Sequence, residues 1–338
     1  MTKMPYTAAS RFMLFVLPFA TALVCIGIGR FSINAWESFS VLWNGLLGRG
    51  DTVNPQAYSV IFRIRLPRIL LAVLCGSGLA VSGTAFQALF TNPLATPDTL
   101  GVAAGTSFGA ALALLLKLPA LGIQFTALAF GLAAVSLSYS ISKIRGKATI
   151  IMVVLSGLVI SSMFDAFVSL TKYLADPEDQ LPAITYWLMG SLARSSYEGL
   201  AIGSPLIICG IIIIFLLRWK LNILSLNEDE AKSMGIHVKF MRLAIIVAAT
   251  MVTGSTVAMC GQVGWVGLLI PHISRMIFGG NNTRLVPASI SLGAVFMLII
   301  DTVARAATTA EIPVSILTAT IGAPFFILLL RKTGGTWL

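Results

Sequence analysis

Between Gly261 and Arg275 the chain reads G-Q-V-G-W-V-G-L-L-I-P-H-I-S-R. Three glycines, Gly261, Gly264 and Gly267, recur every three residues in an apolar run that ends in Pro271, His272 and Arg275. In a membrane, small residues at short regular spacing let helix backbones approach closely. The Pro-His-x-x-Arg ending marks a shaped boundary and not simple hydrocarbon filler. The apolar stretch 263–278 is short for a hydrocarbon core of about 30 Å, so its helix is predicted to start below the surface.

The rest of the chain extends that reading. Of 338 residues, 57% are hydrophobic and 11% charged, with a mean hydropathy of +0.91. Soluble domains carry about 25% charged residues, so this apolar content has no soluble interior to fill. Apolar stretches recur at 12–30, 66–90, 98–117, 121–142, 148–170, 198–218, 242–261, 263–278, 285–304 and 312–330. Only α-helices satisfy their own backbone within such segments. The expectation is an all-α polytopic membrane protein with about ten transmembrane helices, forming one transmembrane domain over residues 1–338. The first run lacks a small-x-small cleavage site before Arg30 and reads as an uncleaved first helix.

The net charge of +10 is the Lys/Arg excess of cytoplasmic loops, which argues against nucleic-acid binding. With the N-terminus inside, the cytoplasmic segments gather more Lys and Arg than the outer ones, and both termini fall in the cytoplasm. Arg63, Arg65 and Arg68, clustered on the outer side, are an exception that needs a reason. Cys25, Cys75, Cys209 and Cys260 sit in separate apolar runs without a C-x-x-C, and read as small buried hydrophobes. With two histidines in the chain, no protein-built metal site is expected.

Three polar islands interrupt the apolar pattern. Residues 31–60 form an interfacial or extracytoplasmic loop, and 172–197 fit a short re-entrant helix. In 219–241, Asn227 is a candidate N-cap, Glu228, Asp229 and Glu230 follow in the first turn, and Gly235 ends the helix. A short helix outside the bilayer is predicted there. No G-x-x-x-x-G-K-[ST] loop occurs, so ATP-driven transport would take its ATPase from another chain.

Several residues stand out against this background. R-L-P-R at 65–68 opens the second span, with proline suited to a helix's first turn. Snorkelling accounts for one interfacial arginine; three within six residues favour docking of a carboxylate-bearing partner. Asn92, Pro93 and Pro97 must break the helix after Gln87, either as a plain turn or as irregular backbone lining a cavity. Gly101, Gly105 and Gly109 read as a packing seam. Asp301 and Arg305 share one helix face. Charges within spans usually face an interior or a cavity, so Asp165 is a further candidate for the interior; Asp301, Arg305, Glu311 and Asp165 serve structural pairing or substrate contact equally well.

Taken together these runs resemble the FecCD-type permease subunits of ABC importers, which take up iron–siderophore complexes, haem or vitamin B12. The matching segments are R-L-P-R at 65–68, S-G-T-A-F-Q-A-L-F-T-N-P-L-A-T-P at 82–97, L-G-V-A-A-G at 100–105 and Y-W-L-M-G-S-L at 186–192. N-E-D-E-A-K-S-M-G-I at 227–236, the 261–275 run, D-T-V-A-R at 301–305 and E-I-P-V-S-I-L-T-A-T-I-G-A-P-F-F at 311–326 complete the set. The resemblance implies a vitamin B12 permease-like homodimer of ten-helix subunits in a bacterial or archaeal cytoplasmic (inner) membrane. Two ATP-binding subunits, carrying the ATP and Mg, would dock beneath, and a periplasmic or lipid-anchored substrate-binding protein above. This chain itself would bind no cofactor and catalyse nothing. Asn227, Glu228, Asp229, Glu230, Ala231, Met234 and Gly235 would form the ATPase-coupling helix, and Arg65, Arg68 and Arg305 would face the binding protein. Asn92 and Leu94 would narrow the pathway, with Thr149 and Ile150 in the partner stretch. That stretch, Ala148 to Ile151, is more apolar than the Ser/Thr-rich version associated with the vitamin B12 permease.

Two other classes compete. An ATP-independent secondary transporter or channel would not need the soluble 219–241 island. An intramembrane enzyme would need a nucleophile–base pair or a metal motif such as H-E-x-x-H, and neither occurs. For an importer, iron chelates (siderophore or haem) or cobalamin are the expected cargo, with an oxyanion such as molybdate as the alternative.

Overall fold

In a computed structural model of the chain, residues 6–31, 33–144, 147–148, 150–226 and 228–333 are described. Helices α1 (Ala8–Gly27), α2 (Ala35–Leu46), α3 (Pro55–Ser59), α4 (Leu66–Leu89), α5 (Val102–Leu115), α6 (Ala120–Ser142), α7 (Ile150–Leu174) and α8 (Gln180–Leu188) form the first part. Then follow α9 (Tyr197–Leu216), α10 (Arg218–Leu224), α11 (Glu228–Ser233), α12 (Val238–Cys260), α13 (Val266–Phe278), α14 (Asn282–Ala306) and α15 (Val314–Thr333). The only β pairing among the described residues is a two-residue ladder, 143–144 with 147–148, between α6 and α7.

Seven helical stretches are long and apolar enough to cross a membrane, and α5, α13 and the apolar part of α15 are three shorter ones. Together they account for the ten expected spans. The hub is α4: its Gly76-to-Gln87 segment is buried among α9, α12, α13 and α14. Backbones touch at two crossings. A Cβ on Gly76 would collide with the Gly293 carbonyl of α14, and one on Gly83 with the Gly267 carbonyl of α13. The 101–109 glycines are also a seam: a Cβ on Gly105 would lie 2.6 Å from the Phe130 carbonyl oxygen, and one on Gly109 2.8 Å from the Ala127 Cα, both on α6.

Two spans are short. At about 1.5 Å per residue, α5 and α13 each cover roughly 20 Å of a hydrocarbon core of about 30 Å. Irregular backbone, 90–101 before α5 and 261–265 before α13, covers the rest. The GQVGWVG run thus leads into a helix too short to cross the core alone. Trp265 joins the two parts at φ +70°, a conformation strained for a bulky residue. Its ring lies where a Gly322 side chain would be and edge-on to Phe326 of α15.

Some sequence expectations need correction. The second span does not open at Arg65. Helical backbone runs unbroken from Pro55 to Leu89, with a π-helical stretch at Val60–Arg65 in which the Leu66 amide bonds the Ile61 carbonyl. The wider turn sits just ahead of Pro67, where a regular ladder would lose a bond and meet the proline ring. Residues 31–60 contain a 12-residue helix, α2, capped by Asn34, and not only loop. Cys209 is exposed, and Cys75 and Cys260, distant in sequence, bring their sulfurs to 3.6 Å.

Candidate functional site: two ends of a transport bundle

At the end of the bundle where α1 and α14 finish, charges are packed inside the protein. The Arg68 Nε donates to Asp301 at 2.7 Å and its Nη1 to Glu311 at 2.9 Å. Arg305 Nε lies 3.5 Å from the other oxygen of Asp301. Arg65 donates to the carbonyls of Ile26 and Phe31, both at 2.6 Å, and Arg305 to that of Cys25. The last carbonyls of a helix have no partner within it and carry partial negative charge. Two arginines therefore cap the C-terminus of α1, while the third is neutralised by carboxylates from α14 and the stretch before α15.

The three arginines expected to face a binding protein, Arg65, Arg68 and Arg305, lie inside the single chain. They are 4%, 5% and 7% exposed, and their donors are turned inward. Burial in a span is tolerated because each finds acceptors there. The exposed arginines at this end include Arg30, Arg49, Arg63 and Arg194. Asp165 also differs from an interior placement. It lies on the exposed face of α7 with Ser162 and Ser169, at i, i+3 and i+7 spacing, so a polar stripe runs along the outside of a spanning helix.

Near the same end the quoted run meets other motifs. Gly190, at φ +72° after α8, and Gly261, at φ +74° after α12, pack backbone to backbone. The Ser191 amide bonds the Cys260 carbonyl at 2.8 Å, and the Val314 amide bonds that of Gly190 at 3.0 Å. Gln262 reaches Ser107 of α5 at 2.8 Å. Deeper in, Gln87 of α4 accepts from Arg275 of α13 at 2.9 Å. The sequence offered no signal for these pairings, because the partners lie up to 188 residues apart.

The opposite end holds the predicted helix and gate. α11 covers Glu228–Ser233 and stands between α10 and α12, with Ala231 buried beneath it and Asp229, Glu230, Lys232 and Met234 exposed. Gly235 ends it at φ +76° with nothing within 4 Å of a Cβ there, a left-handed cap position suited to glycine. Asn227 lies outside the described residues, as does Thr149; Ile150 is the first residue of α7. Asn92 accepts the Leu94 amide at 2.9 Å, so its side chain shapes its own turn while Leu94 is exposed. Among the described residues no group of three or more His, Cys, Asp or Glu is placed to hold a metal.

Known proteins resemble the chain along most of its length. The chain matches the FecCD transport family over residues 16–332. It is 41% identical over 313 residues to the molybdate import system permease protein MolB of Haemophilus influenzae, covering 92% of each chain. It is 37% identical over 278 residues to a Helicobacter pylori protein named as an iron chelatin transport system permease, covering 82% of this chain and 83% of that one. Its backbone matches, at TM-score 0.85 and 39% identity, a solved inward-facing conformation of a transporter assigned to the metal-chelate type of ABC transporters. That match covers 96% of this chain and 100% of the other.

A multi-pass bundle with two short spans and one exposed helix between long spans, matched along its length by permeases, is the membrane subunit of an ABC importer. The chain belongs to the FecCD transport family.

Proposed function

We propose that this permease is driven by a separate ATPase through α11 and imports a small oxyanion of the molybdate class. The observation that carries the coupling role is the exposure of α11, a short polar helix outside an apolar bundle. Its seat on α10 and α12 would pass a push from below to α12, which packs on α4, α5, α6 and α9. ATP and Mg would be bound by the ATPase. The 227–236 stretch, with Asn227 to Ala231, Met234 and Gly235, would supply the contact surface.

Replacing 227–236 by a Gly/Ser linker of equal length is expected to release a coexpressed ATPase subunit from the purified permease and abolish uptake. Retention of both ATPase and uptake would remove the coupling role from α11.

The polar stripe Ser162–Asp165–Ser169 supports a second copy of the chain. Ionisable residues within spans face an interior or an aqueous cavity, so this face of α7 would look toward a pathway between two subunits. Asn92, Leu94, Thr149 and Ile150 would border its cytoplasmic mouth. The buried Arg65–Arg68–Arg305 cluster would serve as a rigid floor beneath the binding-protein surface, with Arg30, Arg63 and Arg194 offering the exposed charge. Positive charge gathered at the α11 end supports placing both termini in the cytoplasm, in a bacterial or archaeal inner membrane.

For the cargo, identity of 41% to a molybdate permease along nearly the whole of both chains outweighs the preference for iron chelates drawn from sequence. The iron chelatin relative keeps chelates as the second reading. Titrating the binding protein encoded beside this permease with molybdate, tungstate, a ferric siderophore, haemin and cobalamin decides between them. Saturable binding of molybdate alone is expected. Binding of a ferric chelate with none of molybdate would sink the oxyanion reading and leave the permease assignment intact.

A further inference from the structure

A large apolar groove runs along the outside of the bundle between α1 and α4, with a volume of about 950 Å³. That is at the upper end of small-molecule sites, which run from about 300 to 1,000 Å³. One wall is a single face of α1, formed by Leu14, Phe15, Pro18, Phe19 and Ala22, and the opposite wall includes Leu70 and Val73 of α4. From Arg11 to Ala22 the α1 face extends about 17 Å at about 1.5 Å per residue, against about 15 Å for half of a 30 Å hydrocarbon core. That wall is thus about as long as one leaflet is thick.

The mouth of the groove is cationic. Arg11, Arg218 and Arg284 border it, drawn from the starts of α1, α10 and α14. Among the described residues none of the three pairs with a carboxylate. Instead Arg11 and Arg284 lie over the ring of Tyr6, at 5.1 and 5.7 Å from its centroid. Arg218 covers the Phe215 ring at 4.1 Å and donates to the Phe215 carbonyl. Trp219, exposed beside them, is the kind of residue that settles at the headgroup level. Three guanidinium groups held on aromatic faces with free donors match a phosphate, which accepts several such bonds. Basic pockets between spans on the cytoplasmic side suit anionic lipid headgroups.

We infer that this groove binds one anionic glycerophospholipid of the cytoplasmic leaflet, its phosphate among Arg11, Arg218 and Arg284 and an acyl chain between α1 and α4. The inference rests on the proposed cytoplasmic placement of this end but not on the cargo, so failure of the oxyanion reading leaves it standing. Charge favours a lipid over a second copy of the chain at this face, because the cationic rim would meet the same rim of a copy.

The test is native mass spectrometry of the permease copurified with its ATPase subunit from membranes containing phosphatidylglycerol and phosphatidylethanolamine. One phosphatidylglycerol per permease subunit is expected to persist in detergent. Exchanging Arg11, Arg218 and Arg284 together for glutamine is expected to lower its retention about tenfold or more, given about 1 kcal/mol for each basic residue near an anionic headgroup. Ala22→Trp, which narrows the groove with the arginines intact, is expected to lower it as well, and serves if the triple variant does not fold. Retention of the two lipids in their bulk ratio overturns the proposal. So does displacement of phosphatidylglycerol by millimolar inorganic phosphate, which would make the rim a free-anion site, and so does a second permease copy found across the groove.

Discussion

Asp301→Ala is expected to remove most folded protein from the membrane. Asp301 is 1% exposed and is the carboxylate that both Arg68 and Arg305 approach. After the exchange Arg68 keeps Glu311 at 2.9 Å, but Arg305 keeps only the Cys25 carbonyl beside the Arg65 guanidinium. Removing one partner of a buried ion pair costs about 3–5 kcal/mol, a large part of the stability of a typical folded protein, about 5–15 kcal/mol. Fluorescence-detected size-exclusion of a tagged permease reads the outcome as loss of the monodisperse peak or a lowered melting temperature. Asp301→Asn separates charge from shape: it keeps the volume and one acceptor, and is expected to be nearly as damaging. An Asp301→Asn variant melting with the wild type would show that the cluster does not hold α1, α4 and α14 together by charge.

Gly83→Val is expected to abolish the folded bundle by a different route. The new side chain would enter the backbone of Gly267, where α4 and α13 cross. Two backbones in contact have no flexible group that can move aside, so the helices must separate, and even ordinary overpacking costs about 1–3 kcal/mol. Gly264, three residues before Gly267 in the same motif, has nothing within 4 Å of a Cβ. Gly264→Ala is therefore expected to leave the melting temperature within the range of a surface change, about 0.5 kcal/mol. Equal damage from the two exchanges would mean that the glycines act through loop conformation and not through helix contact.

Much of this architecture is legible in the chain. Apolar length located the spans, because a lipid-facing segment must satisfy its backbone as a helix. The 227–236 helix was legible from acidic residues ahead of a glycine, and the short α13 from the length of its apolar run. The arginines show where such reading stops. Composition places Arg65, Arg68 and Arg305 at a membrane boundary, but whether a guanidinium points out or in depends on acceptors elsewhere. Here these are the carbonyl end of α1 and carboxylates more than two hundred residues away. The π-helical stretch before Pro67 was equally hidden, since a proline in a first turn and one following a widened turn look alike in one dimension. Asp165 was placed inward because charge avoids lipid, yet one chain's exterior need not face lipid.

The placement of that arginine cluster also bears on the order of synthesis. Arg68 is made with the second span, but Asp301 follows 233 residues later. At about 5–20 residues per second, that interval lasts roughly 12–47 seconds. Throughout it the nascent chain holds a cation in its central helix with no carboxylate to meet it, whereas Arg65 finds the carbonyls of the already inserted first helix. A ribosome that stops short of residue 301 leaves a product marked by one unmatched charge, so completion of the chain is written into its electrostatics.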